Sequence, residues 1–131
     1  MTDVDPLPAS EPLAGLRILI VEDEAMIALL IQDVLEELGS VIIGPASRIS
    51  AALNLATAES IDLAVLDLNL AGQSVYPVAE VLAERGIPFV FITGYGQVSI
   101  DERWRDRPSL PKPFRSTQLA GSLRSTLSLK R

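Results

Sequence analysis

The feature that most constrains the fold is a regular alternation between short apolar segments and longer segments with helical periodicity. Five short segments are predicted strands, and the longer of these are apolar on both faces, which is typical of strands buried in the middle of a layered fold. The five segments are LRILIVE (16–22), SVIIG (40–44), IDLAVLDL (61–68), IPFVFIT (87–93) and the stub SLPKPF (109–114).

Apolar residues recur three and four positions apart between these strands, which is the spacing of an amphipathic helix. We predict helices over 24–39, 47–60, 74–86 and 116–129. Gly39 ends the first helix, Ser47 caps the second and Pro77 lies in the first turn of the third. Residues 94–109 have room for only one or two turns around 99–105, so the fourth of the expected five helices is predicted to be short or irregular.

Alternating strands and helices imply parallel strands joined by right-handed crossovers, with helices on both sides of the sheet. We therefore predict an α/β fold, a flavodoxin-like doubly wound sheet of five parallel strands in the order 2-1-3-4-5. Residues 1–14 contain three prolines and three acids, which indicates a flexible tail. Residues 15–131 are predicted to form one domain.

Composition excludes several classes of site. The 131 residues include no cysteine and no histidine, which rules out disulfides, His-dependent nucleophilic catalysis and His-ligated zinc. The net charge of −6 disfavours non-specific nucleic-acid binding. The longest apolar stretches are shorter than the roughly 20 residues of a membrane span, and no signal-like segment is present. We expect a cytoplasmic protein whose partners are neither nucleic acid nor membrane.

The carboxyl ends of four predicted strands meet at one edge of such a sheet, and this edge is where ligands bind in open α/β folds. The first strand ends at Glu22 and Asp23, the third at Asp67, the fourth at Thr93 and the fifth at Lys112. We therefore expect three carboxylates, a hydroxyl and an ammonium group to converge there.

The charges of this predicted site call for a divalent cation. Three clustered carboxylates repel one another by several kcal/mol at an effective dielectric constant of about 20, and one ammonium group leaves a net charge of −2. A site made of oxygen ligands suits Mg²⁺. We expect Asp23 and Asp67 to be direct ligands, the Asn69 backbone carbonyl to be a third, and Glu22 to act through water.

Such a site is suited to phosphoryl transfer. The Asp67 carboxylate would attack phosphorus and become an acyl phosphate. Mg²⁺ and Lys112 would neutralise the phosphoryl oxygens, and Thr93 would donate a hydrogen bond to one of them. Gly94, which has no side chain, would leave the approach to Asp67 open.

Four segments, ILIVEDE, LAVLDLNL, FITG and PKPF, resemble in order and spacing the CheY-like response-regulator receiver domain of bacterial two-component signalling. The resemblance covers about residues 16–129. It implies that Asp67 is the phosphoacceptor, that Glu22 and Asp23 form the metal-binding acidic pocket, and that Thr93 and Lys112 are the switch hydroxyl and the phosphate-binding lysine. It also implies a Mg²⁺ cofactor, a sensor histidine kinase or phosphotransfer protein as phosphodonor, and a downstream protein partner.

A finer resemblance lies in FITGYG followed by RWRDRPSLPKPF, which is similar to the receivers called FAT GUY after their Phe-Ala-Thr-Gly-aromatic sequence. Ile92 replaces the alanine here. Members of that group are often single-domain partners of HWE-type and related histidine kinases, and they tend to lack a regular fourth helix. Ordinary receivers carry an aromatic switch residue three positions before the lysine, where this chain has Ser109. Tyr95 is the best substitute.

The resemblance implies a single-domain response regulator, because the sequence ends at Arg131 with no output domain expected. It would not be an enzyme in the usual sense, although it would assist its own phosphorylation and dephosphorylation. Output would be a protein contact, or phosphate traffic as a shuttle or sink. The alternative is a phosphorylation-independent pseudo-receiver, an interaction module with a vestigial pocket. A flavodoxin-like cofactor binder is disfavoured because VEDEA is anionic, and an Asp-x-Asp phosphatase because Asn69 occupies the second position. Trp104 is predicted to be a hydrophobic plug beside the irregular helix.

Overall fold

The computed structural model describes residues 11–94 and 100–129. Its elements, in chain order, are β1 (Arg17–Val21), α1 (Ala25–Glu37), β2 (Val41–Ala46), α2 (Ile49–Ala58), β3 (Leu63–Asp67), β4 (Asn69–Leu70), β5 (Gln73–Ser74), α3 (Tyr76–Glu84), β6 (Phe89–Thr93), β7 (Ser109–Pro111) and α4 (Ser116–Leu129). A single 3₁₀ turn, Glu102–Trp104, lies between β6 and β7 in the described part of that connection.

Five strands form one parallel sheet in the order β2-β1-β3-β6-β7. This is the predicted order 2-1-3-4-5 of a flavodoxin-like α/β fold, so the prediction is confirmed. β4 and β5 form a separate antiparallel hairpin, which the sequence analysis did not predict. Its two-residue turn places both Ala71 and Gly72 at positive φ, 52° and 85°, as a tight hairpin turn requires.

The helices begin and end close to their predicted limits. Gly39 follows α1 with a φ of 83°, Pro77 is in the first turn of α3, and α4 has the predicted bounds. The expected Ser47 cap of α2 is wrong, because the backbone is still extended at Arg48 and the helix begins at Ile49 without a side-chain cap. Among the described helices, none combines the length and apolarity needed to cross a bilayer.

β2 runs further than the sequence predicted. It was expected to end before Pro45, but it continues to Ala46 after a register shift against β1. Proline, which has no backbone N–H, is tolerated here because β2 is an edge strand. Its outer side has no neighbouring strand in the described sheet that would accept a hydrogen bond from that position. Gly44 is required at the shift: its φ is 98°, and a Cβ there would lie 2.9 Å from the Ile20 carbonyl oxygen.

The sheet separates two hydrophobic clusters, because successive strand residues point to opposite faces. One cluster, the aliphatic face, lies under α1 and α4 and includes Ile18, Ile20, Val90 and Ile92. The other, the aromatic face, lies under α2 and α3. Its aromatic members are Tyr76, Phe89, Phe91 and Trp104.

Trp104 fills the space beside the 3₁₀ turn, as the sequence analysis expected of it. Trp104 is only 4% exposed. Its ring stacks on Tyr76 with centroids 6.3 Å apart and lies 5.9 Å from the ring of Phe89. In the described part of the region predicted to hold a short or irregular helix, one 3₁₀ turn therefore carries this large aromatic residue.

Residues 11–14, which the sequence analysis assigned to the tail, belong to the folded domain. Leu13 is fully buried in the aliphatic face, and its carbonyl oxygen accepts a 2.8 Å hydrogen bond from Ser40 Oγ. Glu11 forms an ion pair with Arg124 of α4, with Nη2 2.6 Å from Oε1. The predicted boundary at residue 14 is therefore too late, and residues 1–10 lie outside the described part of the chain.

Candidate functional site

The carboxyl edge of the sheet brings together the four strand ends at which the site residues were predicted. Glu22 directly follows β1, Asp67 is the last residue of β3, Thr93 the last of β6, and Lys112 directly follows β7. Glu22, Asp67 and Thr93 are buried. Parallel pairing produces this convergence, because Asp67 pairs with Ile92 and Thr93 pairs with Pro111.

The ammonium group of Lys112 lies among three carboxylates. Its Nζ is 2.7 Å from Glu24 Oε1, 3.3 Å from Asp67 Oδ2 and 3.5 Å from Glu22 Oε2. Its backbone N–H donates a 2.7 Å hydrogen bond to the Thr93 carbonyl oxygen. The end of β7 is thus held against the end of β6, with the ammonium group above Asp67.

Glu24 is a site residue that the sequence analysis did not single out. It precedes α1 in extended conformation, makes no side-chain cap, and sends its carboxylate to Lys112 instead. Among the described residues, Glu22, Glu24 and Asp67 each offer an oxygen within 4.8 Å of the others. The available signal was the third acid in VEDE, which lies just before the first residue of the helix.

Asp23 and Asn69 lie at the rim, where both contact the β4–β5 turn. Asp23 Oδ2 accepts a 3.1 Å hydrogen bond from the Ala71 N–H, and Asn69 Oδ1 accepts one of 3.0 Å from the Gly72 N–H. The Asn69 N–H donates to Asp67 Oδ1 at 3.3 Å. The cluster of closest carboxylates contains Glu24 where Asp23 was expected, and the metal-ligand roles of Asp23 and Asn69 stay predictions.

Burial and mutual contact change the proton affinities of the site. Desolvation, reinforced by the hydrogen bond with Asp67, raises the pKa of Glu22 to about 7. Desolvation also raises the pKa of Asp67, against the opposing effects of Glu22 and the Lys112 charge. Desolvation opposes the charge of Lys112, but Glu24, Asp67 and Glu22 outweigh it and raise the pKa of Lys112 above its ordinary value. The ammonium group therefore stays charged at neutral pH.

A cavity of about 490 Å³ opens above these groups. Its lining includes Asp23, Glu24, Asp67, Asn69, Gly94 and Lys112. A Cβ added at Gly94 would meet no atom of the described residues within 4 Å, so packing against them does not demand glycine there. Tyr95, the predicted substitute for an aromatic switch, lies outside the described residues.

The donor set fits a hard divalent cation such as Mg²⁺. Its close ligand atoms are all carboxylate oxygens, which Mg²⁺ prefers. Glu22 Oε1 is buried and has no hydrogen-bond partner among the described residues, and a buried carboxylate oxygen without a partner is costly. A cation bound at the cluster, directly or through water, would satisfy it.

Comparison with known proteins agrees with this geometry. A family model described as "Response regulator receiver domain" matches residues 18–124. The transcriptional regulatory protein PdtaR of Mycobacterium tuberculosis is 31% identical over 116 residues, which cover 86% of this chain and 57% of PdtaR. The chain thus spans little more than half the length of that relative.

Solved structures with the same fold include the solution structure of SdrG from Sphingomonas melonis Fr1. It is 46% identical, with a TM-score of 0.78 over 86% of this chain and 97% of that one. A solution structure of the BeF₃-activated conformation of SdrG from Pseudomonas melonis Fr1 is also 46% identical, with a TM-score of 0.74 over 87% and 98% of the two chains. The match to the family model spans most of the sequence, and the chain therefore belongs to the response regulator receiver domain family.

Proposed function

We propose that this receiver domain is a phosphoacceptor and that Asp67 accepts a phosphoryl group from a histidine kinase or a phosphotransfer protein. The observation that carries the proposal is the position of Asp67. Asp67 is the last residue of a buried strand and lines the 490 Å³ cavity. Its Oδ2 lies 3.3 Å from Lys112 Nζ. A carboxylate held in this way can act as a nucleophile toward phosphorus.

The proposed reaction transfers the phosphoryl group from a histidine side chain of the donor to Asp67. One Asp67 oxygen forms a bond to phosphorus while the bond from phosphorus to the donor imidazole nitrogen breaks, and the electron pair of that bond stays on the imidazole. Lys112 stabilises the negative charge on the phosphoryl oxygens, and the Thr93 hydroxyl donates a hydrogen bond to one of them. Glu22, Asp67 and either Asp23 or Glu24 would hold Mg²⁺, which supplies further charge neutralisation when it is bound.

The proposal extends to the partners of the domain. The resemblance to FAT GUY receivers supports an HWE-type kinase as phosphodonor. The structure of a BeF₃-activated SdrG supports activation by a phosphoryl group, because BeF₃⁻ bound to a carboxylate resembles an acyl phosphate in shape and charge. Output would be a change in a protein contact, or transfer of the phosphoryl group onward.

Phosphotransfer from a ³²P-labelled histidine kinase to purified Asp67→Asn protein tests the assignment. We expect wild type to become labelled and Asp67→Asn to remain unlabelled. Asp33→Asn, an exposed change of the same kind on α1, is the matched control and should be labelled like wild type. Equal labelling of Asp67→Asn and wild type would refute the role of Asp67.

A phosphorylation-independent pseudo-receiver would behave differently in a second measurement. We expect Mg²⁺ to shift the amide NMR signals of Asp67 and Asn69 in wild type, since a working pocket binds the cation at the carboxylates. A vestigial pocket would give no site-specific shift and no labelling by any kinase tested.

A further inference from the structure

Glu24 is the closest partner of the Lys112 ammonium group, although it lies outside the set of residues proposed to hold the phosphoryl group. The contact to Glu24 is 2.7 Å, whereas those to Asp67 and Glu22 are 3.3 and 3.5 Å. A short contact between two charged groups is the stronger kind of hydrogen bond. The ammonium group is therefore held toward α1 as well as above Asp67.

The surroundings of the two partners differ. The Glu24 side chain is 59% exposed, whereas that of Asp67 is 6% exposed and that of Lys112 is 17% exposed. Glu24 also lines the cavity in which a group attached to Asp67 would lie. Its carboxylate is thus a negative charge at the edge of the space that an incoming anion must enter.

We propose that Glu24 is a positioning residue that competes with the phosphoryl group for Lys112 and lowers the affinity of the pocket for that group. This inference rests on the proposed function of Asp67. A phosphoryl group on Asp67 would need N–H donors from Lys112, one of which Glu24 already engages, and would lie close to a second negative charge. Both effects favour the unmodified state.

The same charge has the opposite effect on a cation. Glu22, Glu24 and Asp67 together attract Mg²⁺, and each carboxylate removed lowers that attraction. Glu24 thus lowers the affinity of the pocket for the phosphoryl group and raises its affinity for Mg²⁺. A residue with a purely structural role would change both affinities in the same direction or neither.

Glu24→Gln isolates the charge, because glutamine keeps the shape and one oxygen acceptor for Lys112. BeF₃⁻ is the probe for the phosphoryl group, titrated at saturating Mg²⁺ and followed by the amide NMR signals of Asp67 and Asn69. We expect Glu24→Gln to bind BeF₃⁻ roughly twofold to fivefold more tightly than wild type, and to bind Mg²⁺ alone more weakly by a similar factor, as is typical of partly exposed charges.

Glu59→Gln is the matched control, since Glu59 is a partly exposed glutamate paired with Arg17 at 3.1 Å, away from the site. It should bind both probes as wild type does. Unchanged or weaker BeF₃⁻ binding in Glu24→Gln, with wild type binding normally, would overturn the competition while leaving the role of Asp67 intact. Failure of wild type itself to bind BeF₃⁻ with Mg²⁺ would count against the proposed function, and against this inference with it.

Discussion

Both faces of the sheet are buried under helices, but different types of residue pack against each face. The aliphatic face is covered by α1 and α4, of 13 and 14 residues, and its buried residues are isoleucine, leucine, valine and one alanine. The aromatic face is covered by α2 and α3, of 10 and 9 residues, and by one 3₁₀ turn. Four aromatic side chains pack together with aliphatic residues on this face, and Trp104 of the turn lies among them.

The largest loss of stability is expected when Trp104 is replaced. We expect Trp104→Ala to lower the free energy of unfolding by about 3–5 kcal/mol, because it empties the centre of the aromatic cluster. Leu123→Ala, on the fully buried part of α4, should cost about 2–4 kcal/mol. Urea denaturation followed by circular dichroism measures both. A smaller loss for Trp104→Ala than for Leu123→Ala would mean that the aromatic face does not depend on this ring.

The extent of the aliphatic face can be sharpened at Leu13. We expect Leu13→Ala to cost about 2–4 kcal/mol, since its side chain is fully buried beneath α1 and α4. Leu29→Ala is the matched control, because Leu29 is 51% exposed on α1 and should change stability by less than about 0.5 kcal/mol. If Leu13→Ala and Leu29→Ala both had small effects in the same urea assay, residues 11–14 would not contribute to the folded domain.

The charged edge between the two faces should make stability depend on pH, unlike the faces themselves. The folded state keeps a proton on Glu22 up to about pH 7, whereas the unfolded chain loses it near the ordinary glutamate pKa of 4.5. Stability without metal should therefore fall as pH rises from 5.5 to 8, by about 1–3 kcal/mol. Urea denaturation in chelator at the two pH values measures this, and the raised pKa of Asp67 acts in the same direction.

Glu22→Gln should remove most of this pH dependence, and Glu59→Gln should leave it as in wild type. Mg²⁺ should also reduce it, because a bound cation stabilises the deprotonated carboxylates. A stability that stays constant or rises between pH 5.5 and 8 in chelator would show that the folded protein does not retain a proton on Glu22.

The smallest effect is expected at the rim of the aromatic face. The Tyr76 hydroxyl accepts a 2.7 Å hydrogen bond from the Asp101 N–H at an exposed position. Tyr76→Phe keeps the ring contacts and removes this bond, so it should cost only about 0.5–1 kcal/mol. Hydrogen exchange of the Asp101 amide should become faster, while that of Ile92 stays unchanged. Unchanged exchange at Asp101 would show that the bond does not protect this amide.

The sequence predicted the sheet and the position of Asp67 because both follow from strong local patterns. Runs such as LAVL are apolar on both faces, and the first acid after such a run marks the carboxyl end of the strand. Parallel order then brings the strand ends together without any further information.

Other features could not be read in this way. The β4–β5 hairpin has strands of two residues, too short to show periodicity. The burial of Leu13 was hidden by neighbouring prolines and acids, whose composition indicates a tail. The sequence alone does not show the role of Glu24, because a residue before a helix is ordinarily solvent-exposed and the contact of its carboxylate with Lys112 forms only in the folded protein.

The triplet Pro111-Lys112-Pro113 has a consequence for how the site could change in evolution or design. Proline has no amide hydrogen, so Lys112 carries the one backbone donor of the triplet, and the Thr93 carbonyl takes it. A slip of this segment by one residue would present a proline to that carbonyl and lose the bond. The two prolines therefore fix which residue of this segment places its side chain beside Asp67.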